Sequence, residues 1–264
     1  MRTPREELPE HLSWSQIWLY STCPRLYYYR YIERLETQPL YVLSSGRAIH
    51  AGLEAHNLSL ARGGAGLSCA DIIDIGVADL ATLDDIDIGK EKAIAQFQSE
   101  AINPVTRYLY WTQREDLGGA TPITEDDVER EIWFKVGGSL FLGYVDLVLP
   151  DRFVDYKFVG RWKYQTDVDH DGQLAIYGEV LKRPGCFVQL LRRREDVKVA
   201  YPSESADVRK KVLLWVDSQV AAIAQSKQTG LFPRCQPSHW KCQAGKCEFF
   251  DRCQTPNKPG VTSA

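Results

Sequence analysis

Long hydrophobic runs are missing from this 264-residue chain: no stretch approaches the ~18 consecutive apolar residues of a membrane-spanning helix. The N-terminal segment MRTPREELPEHL also lacks the apolar core of a signal peptide, so the expected location is the cytoplasm. An excess of either charge is missing too. The balance of 32 basic and 35 acidic residues, net −3, excludes a uniformly basic nucleic-acid coat and confines any DNA contact to a local groove. Cysteine is not scarce. There are seven, and in a reducing compartment they argue against a disulfide scaffold; four crowd between Cys235 and Cys253, which suggests a metal. With 44% hydrophobic residues the chain can bury a full core.

The stretch GYVDLVLPDRFVDYK, Gly143 to Lys157, reads as two short strands joined by Pro150-Asp151. If Leu149 and Arg152 flank a two-residue turn, cross-strand partners sum to 301 and Asp146 stands opposite Asp155. Strand alternation puts Lys157 on the same face and Val145, Leu147, Leu149, Val154, Tyr156 and Phe158 on the other, which is the expected core face. Apposed carboxylates destabilise a sheet unless something positive lies between them. A divalent cation with oxygen ligands would satisfy both, and the neighbouring lysine suggests chemistry on a phosphodiester. An exposed polar face with a Lys157–aspartate salt bridge is the alternative, and the hairpin alone leaves both open.

Residues 13–32 read as a helix capped by Ser13 and broken at Pro24, with Cys23 exposed at the break. The tyrosines 27, 28, 29 and 31 are expected in packing, and Arg25, Arg30 and Arg34 either touch phosphate or form a solvated face. Residues 44–61 form the next expected helix. His50 and Glu54 share a face, and Gly46, one turn before His50, would admit a close backbone. Residues 64–127 are aspartate-rich and read as a helical insertion, with a helix near Lys90–Glu100, core packing by Tyr108, Tyr110 and Trp111, and a loop at Gly118-Gly119 and Pro122. From Val128 the pattern turns to strands, with a Gly137-Gly138 hairpin turn. One helix over 168–182 places Gln173 and Tyr177 on one face, and CFVQLLRRR and VKVAY supply two more strands. Arg192-Arg193-Arg194 either lines a groove or protects a sheet edge. A long amphipathic helix over 203–228 should bury Val208, Val212, Trp215, Val216, Val220 and Ile223. The fold class is mixed α/β.

Four short motifs fall in order along these elements: Gly46 to His50 (Gly-x-x-x-His), Gly143 to Asp146 (Gly-x-x-Asp), Asp155-Tyr156-Lys157 (Asp-x-Lys) and Gln173 to Tyr177 (Gln-x-x-x-Tyr). In this ordered set, from Cys23 to Cys253, the chain resembles the RecB/AddB-like exonuclease branch of the PD-(D/E)XK nucleases, which includes CRISPR-associated adaptation nucleases and phage relatives. The resemblance implies a restriction-endonuclease-like core with a mixed sheet flanked by helices. It also implies Mg²⁺ or Mn²⁺ bound by His50, Asp146, Asp155 and the carbonyl of Tyr156. Lys157 would orient or help deprotonate the attacking water, Gln173 and Tyr177 would contact DNA or hold Lys157, and Glu54 would stand behind the ligands. Arg161 and Lys163, just beyond, are the expected DNA contacts.

Iron-sulfur members of that branch carry one cysteine before the core and three after it, here Cys23 and then Cys242, Cys247 and Cys253. Four thiolates can hold Zn²⁺ or a cluster, and the resemblance selects [4Fe-4S] as a clamp joining the N- and C-terminal segments. Many relatives have two residues between the first two C-terminal cysteines, where this chain has four, so Cys235 competes with Cys242. Cys242 is preferred because the Cys235 segment, with Pro237, would have to fold back. Cys69 and Cys186 are expected as buried free thiols. The segments follow: a helical N-terminal part (1–43), a first core helix (44–63), the insertion (64–127), the nuclease core (128–230) and the cysteine-bearing tail (231–264). The expected function is metal-dependent DNA exonuclease action on single strands or ends, in recombination, repair or phage DNA processing, with recombination or CRISPR-type protein partners. The alternative is an inactive nuclease fold that binds DNA or protein.

Overall fold

A computed structural model of the chain describes residues 10–114, 124–194, 196–203 and 205–254. The expected loop at Gly118-Gly119 and Pro122 lies outside the described residues. Contacts divide the chain into two units. Of the described residues, the first takes in those within 39–134 and 142–214, and the second those within 10–38, 135–141 and 215–254.

The first unit is built on helices α3 (Tyr41–Ala61), α4 (Cys69–Ala81) and α5 (Lys90–Arg114) and on most of a five-stranded sheet. The strands are β1 (Val128–Val136), β2 (Ser139–Val148), β3 (Phe153–Val159), β4 (Gly185–Leu191) and β5 (Val197–Ala200), side by side in that order. β2 and β3 pair antiparallel through Leu147↔Val154 and Val148↔Phe153, the expected register. The turn closes with the Leu149 amide donating to the Arg152 carbonyl at 2.8 Å. Between β1 and β2, Gly137 and Gly138 have φ of +53° and +81°, the left-handed pair that a two-residue hairpin turn requires. β3 and β4 run parallel, and β5 returns antiparallel. Every residue of β4 is buried, as expected of a strand covered on both faces, and its apolar run GCFVQLL is broken only by Gln189.

A parallel β3–β4 pair needs a crossover, which α6 (Gln165–Asp169) and α7 (Gly172–Leu181) provide. The single helix expected over 168–182 is therefore two. The break has a cause: the Asp171 carboxylate accepts from the Gln173 and Leu174 amides at 3.0 and 3.2 Å and so starts a new helix. α5 is longer than the expected 90–100, and its period turns Tyr108 and Trp111 to the core while Tyr110 faces out. α3 starts at Tyr41, whose amide donates at 2.7 Å to Asp87 from a distant segment. The aspartates of 64–127 thus serve partly as caps, Asp71 closing a capping box with Ser68 at the head of α4.

The core face of β2–β3–β4 carries Leu147, Leu149, Val154, Tyr156, Phe158, Cys186, Val188 and Leu190, packed with Ile49, Leu53, Ile72 and Phe97 of the three helices. This is the face read from strand alternation. Cys186 is a buried free thiol as expected, whereas Cys69 is only partly buried. Arg192 and Arg193 both have partners within the chain. The Arg192 guanidinium donates to the carbonyls of Val42 and Phe158, and Arg193 pairs at 2.9 Å with buried Glu100, which also accepts from Tyr41 Oη.

In the second unit, α1 (Trp14–Thr22) is capped by Ser13 and ends before Pro24, which begins the short α2 (Pro24–Tyr27). A π-helical turn over Tyr28–Ile32 follows. Tyr27 and Tyr29 are buried, Tyr27 stacked on Phe232 and Tyr29 edge-on to Phe249. α8 (Ala206–Thr229) runs through both units and buries Val212, Val216, Val220 and Ile223. Val208 is only half-buried and Trp215 is exposed, contrary to expectation, since these two lie at the rim of the helix's apolar stripe. Arg30 pairs with Glu248 at 3.1 Å, so it is neither free for phosphate nor merely solvated.

Two glycines of α3 differ in what surrounds them. A Cβ on Gly52 would lie 2.4 Å from the Ile72 carbonyl oxygen, so the close approach of α3 and α4 depends on that glycine. Gly46, expected to admit a backbone, has nothing within 4 Å of its would-be Cβ. Gly46→Ala should therefore raise stability by about 1 kcal/mol through helix propensity, and Gly52→Ala should lower it by ~1–3 kcal/mol. Urea unfolding of both variants tests the pair; equal shifts would refute the assigned packing.

Candidate active site

Opposite the core face, β2 and β3 present Asp146, Asp155 and Lys157. Helix α3 brings His50 to them, with Nδ1 at 3.2 Å from Asp146 Oδ1. The other Asp146 oxygen accepts the Tyr156 amide at 2.6 Å. Asp155 divides its oxygens in the same way: Oδ1 accepts from Gln173 Nε2 at 2.7 Å and Oδ2 meets Lys157 Nζ at 2.5 Å. Both aspartates are buried, at 9% and 4% exposure, so neither can rely on water for its charge.

α7 contributes Gln173 and, one turn on, Tyr177, which is buried. The motif glycine Gly143 has a steric explanation: a Cβ there would lie 2.6 Å from the Tyr177 hydroxyl. Lys163 is not free to reach outward. Its ammonium pairs with Asp171 at 3.0 Å and sits 4.2 Å from the centre of the Phe187 ring, while Lys157 lies 5.2 Å from that centre. The Lys163 amide donates to Gln189 Oε1 at 2.9 Å, tying this segment to β4. Arg161 is exposed, stacked beside Tyr164. Of the sequence-read residues, then, His50, Asp146, Asp155, Tyr156, Lys157, Gln173 and Tyr177 come together with Lys163 close by.

Charge compensation accounts for the ionisation of the group. Burial opposes the charged form of His50, yet the Asp146 carboxylate outweighs it and raises the imidazole to about 9. Burial likewise works against Asp146, but His50 and the Tyr156 amide hold it below the usual carboxylate range. For Asp155 burial prevails over the Lys157 charge, and its carboxyl rises to about 6. Lys157 loses hydration but gains Asp155, so its ammonium is held above the ordinary lysine value.

One neighbour was not read from the sequence. His50, Asp146 and Glu129 of β1 each offer a ligand atom, and the three lie within 4.8 Å of one another. One nitrogen and two carboxylate oxygens suit a divalent cation of the Mg²⁺ or Mn²⁺ kind. Glu129 has φ of +49°, a local conformation that strand alternation cannot foretell.

The second unit holds the cysteine site. Cys23, Cys235, Cys242, Cys247 and Cys253 line one cavity together with Arg25, Arg234 and Lys241. Cys23 is 7% exposed, not open to solvent as expected, because the break at Pro24 turns it inward beside Leu26, Tyr29 and Phe249. The Cys235 segment does fold back: its amide donates to Cys23 Sγ at 3.4 Å and the Arg25 amide bonds Pro233 O at 3.0 Å. The ground for setting Cys235 aside therefore fails. Burial raises the Cys247 and Cys253 thiols, with Lys241 acting against this at the first and Arg234 at the second. Clustered thiols ringed by cations suit an electron-rich metal–thiolate group.

Among the described residues no helix is long and apolar enough to cross a membrane. Among curated proteins no sequence matches the chain. In solved structures the fold is shared with a candidate exonuclease from Eubacterium rectale at 13% identity, covering 99% of this chain and 97% of that one with a TM-score of 0.62. SSO0001 aligns over 90% of this chain and 95% of its own at 13% identity, with a TM-score of 0.33. The family model of the PD-(D/E)XK nuclease superfamily matches residues 11–254. With that match spanning nearly the whole chain, and an Asp-x-Lys strand set beside a second buried aspartate, the chain belongs to the PD-(D/E)XK nuclease superfamily.

Proposed function

We propose that this nuclease is a divalent-metal-dependent exodeoxyribonuclease of the RecB/AddB-like iron-sulfur branch, acting on single-stranded DNA or DNA ends in the cytoplasm, in recombination, repair or phage DNA processing. The observation that carries the reading is the meeting of His50, Asp146, Asp155, Lys157 and Gln173 within hydrogen-bonding and ion-pair distances. A bound Mg²⁺ or Mn²⁺ would polarise a phosphoryl oxygen, lower the pKa of water and stabilise the leaving oxygen.

The chain's own residues then have separable tasks. His50, Asp146 and Asp155, with the Tyr156 carbonyl, hold the ion. Lys157, held against Asp155, would orient the attacking water or a phosphate oxygen or help take the water's proton. Gln173 keeps the Asp155 carboxylate turned toward Lys157, and Tyr177 fills the space that Gly143 leaves. Lys163 supplies a further positive charge beside Phe187, and Arg161 an exposed one for the DNA backbone.

For the second unit we assign a [4Fe-4S] cluster to Cys23, Cys242, Cys247 and Cys253 on the family's cysteine pattern, with Cys235, whose amide bonds the Cys23 sulfur, as the competing fourth ligand to Cys242. Such a cluster would act as a structural clamp between the two ends of the chain.

End-labelled single-stranded DNA incubated with Mg²⁺ or Mn²⁺ should lose nucleotides to the wild-type protein, and Asp155→Ala and Lys157→Ala should each slow release on the order of 100-fold or more. Equal release by all three would sink the assignment. For the clamp, about four irons with matching acid-labile sulfide are expected per chain, lost in Cys23→Ala and retained in Cys235→Ala. A colourless zinc protein, or iron retained in Cys242→Ala but lost in Cys235→Ala, would overturn the ligand set.

A further inference from the structure

We infer that Glu129 is a protein ligand of the catalytic cation, completing a His50–Glu129–Asp146 cage that the four motifs do not contain; this rests on the metal-dependent reading above. The geometry comes first. Two ligands about 2.1 Å from a shared ion are at most about 4.2 Å apart, so donor atoms already within 4.8 Å of one another need only a small side-chain rotation to close on it. Asp155 stands beside that trio, with its oxygens also meeting Lys157 and Gln173.

Backbone conformation is the second observation. In a strand, side chains alternate between faces, and β1 would ordinarily carry Glu129 on the same face as Glu131 and Trp133. At φ +49° Glu129 leaves the extended region for the left-handed one, at a cost of roughly 1–2 kcal/mol for a residue with a Cβ. Such strain persists where the surrounding structure gains from it, often at functional sites. Here a second carboxylate offers an oxygen within 4.8 Å of the Asp146 and His50 donor atoms. One nitrogen and two carboxylate oxygens converging in this way form a donor set that a hard divalent cation takes up.

Glu129 would add its carboxylate to the ligands His50, Asp146 and Asp155, while Asp155 also keeps Lys157 beside the ion.

Mn²⁺ titration of the nucleic-acid-free protein, followed by calorimetry and by loss of the free-ion EPR signal, tests this without reference to activity. Glu129→Gln should weaken Mn²⁺ binding at least ~10-fold, as should Asp146→Asn, with the metal-free melting temperature unchanged in Glu129→Gln. Glu129→Gly, which tolerates the left-handed backbone, should lose the ion equally while melting no lower than wild type. Wild-type Mn²⁺ affinity in Glu129→Gln, with Asp146→Asn impaired, would overturn the role of Glu129 alone. No Mn²⁺ binding by the wild-type protein, or none lost in Asp146→Asn, would overturn the metal site itself.

Discussion

Two buried carboxylates on one sheet face set the terms for everything around them. Asp146 and Asp155 are apposed by the β2–β3 register, and at 9% and 4% exposure neither charge is hydrated enough to stand alone. Each oxygen therefore draws its own partner, from three elements in all: His50 from α3, the Tyr156 amide and Lys157 from β3, and Gln173 from α7. Removing one partner would leave an uncompensated charge in a buried place, so the elements are bound to one another through the site as well as through the core.

The apolar side of the same strands makes this possible. Leu147, Val154, Tyr156 and Phe158 fix the sheet against α3, α4 and α5, and α3 reaches its depth because Gly52 lets the Ile72 carbonyl approach. On the polar side, Gly143 leaves room for Tyr177, and Asp171 both opens α7 and holds Lys163. A motif glycine, an N-cap and a salt bridge thus serve one purpose, which is to deliver α7 to β3 in a single orientation.

The cysteine-bearing unit follows a different logic. Five thiols with Arg25, Arg234 and Lys241 around one cavity concentrate soft ligands and positive charge beside the aromatic packing of Tyr29 and Phe249. The break at Pro24 places Cys23 between α1 and α2 in extended backbone, and a π-helical turn over Tyr28–Ile32 follows α2. The proposed nuclease chemistry and the proposed clamp use different donor types, nitrogen and oxygen for a hard cation and sulfur for a soft one, so the two sites need not compete for metal.

Strand alternation was enough to place Asp146, Asp155 and Lys157 on one face and the apolar residues on the other, because a period of two is a local property of the chain. Helical spacing likewise paired Gln173 with Tyr177, and proline marked the break before α2. What stayed hidden depended on partners far away in sequence. The burial of Cys23 comes from the tail, the close backbone expected at Gly46 belongs to Gly52, and Arg192 is claimed by the carbonyls of Val42 and Phe158, none of which local periodicity shows. The sequence by itself determined the mixed α/β class, the carboxylate hairpin and the four ordered motifs, since these rest on local periodicity and residue chemistry. Only the tertiary structure decided that Glu129 joins His50 and Asp146 and that Cys235 lies against Cys23, because a left-handed backbone at one strand residue and the return of a tail are settled by packing across the chain and leave no periodic trace in it.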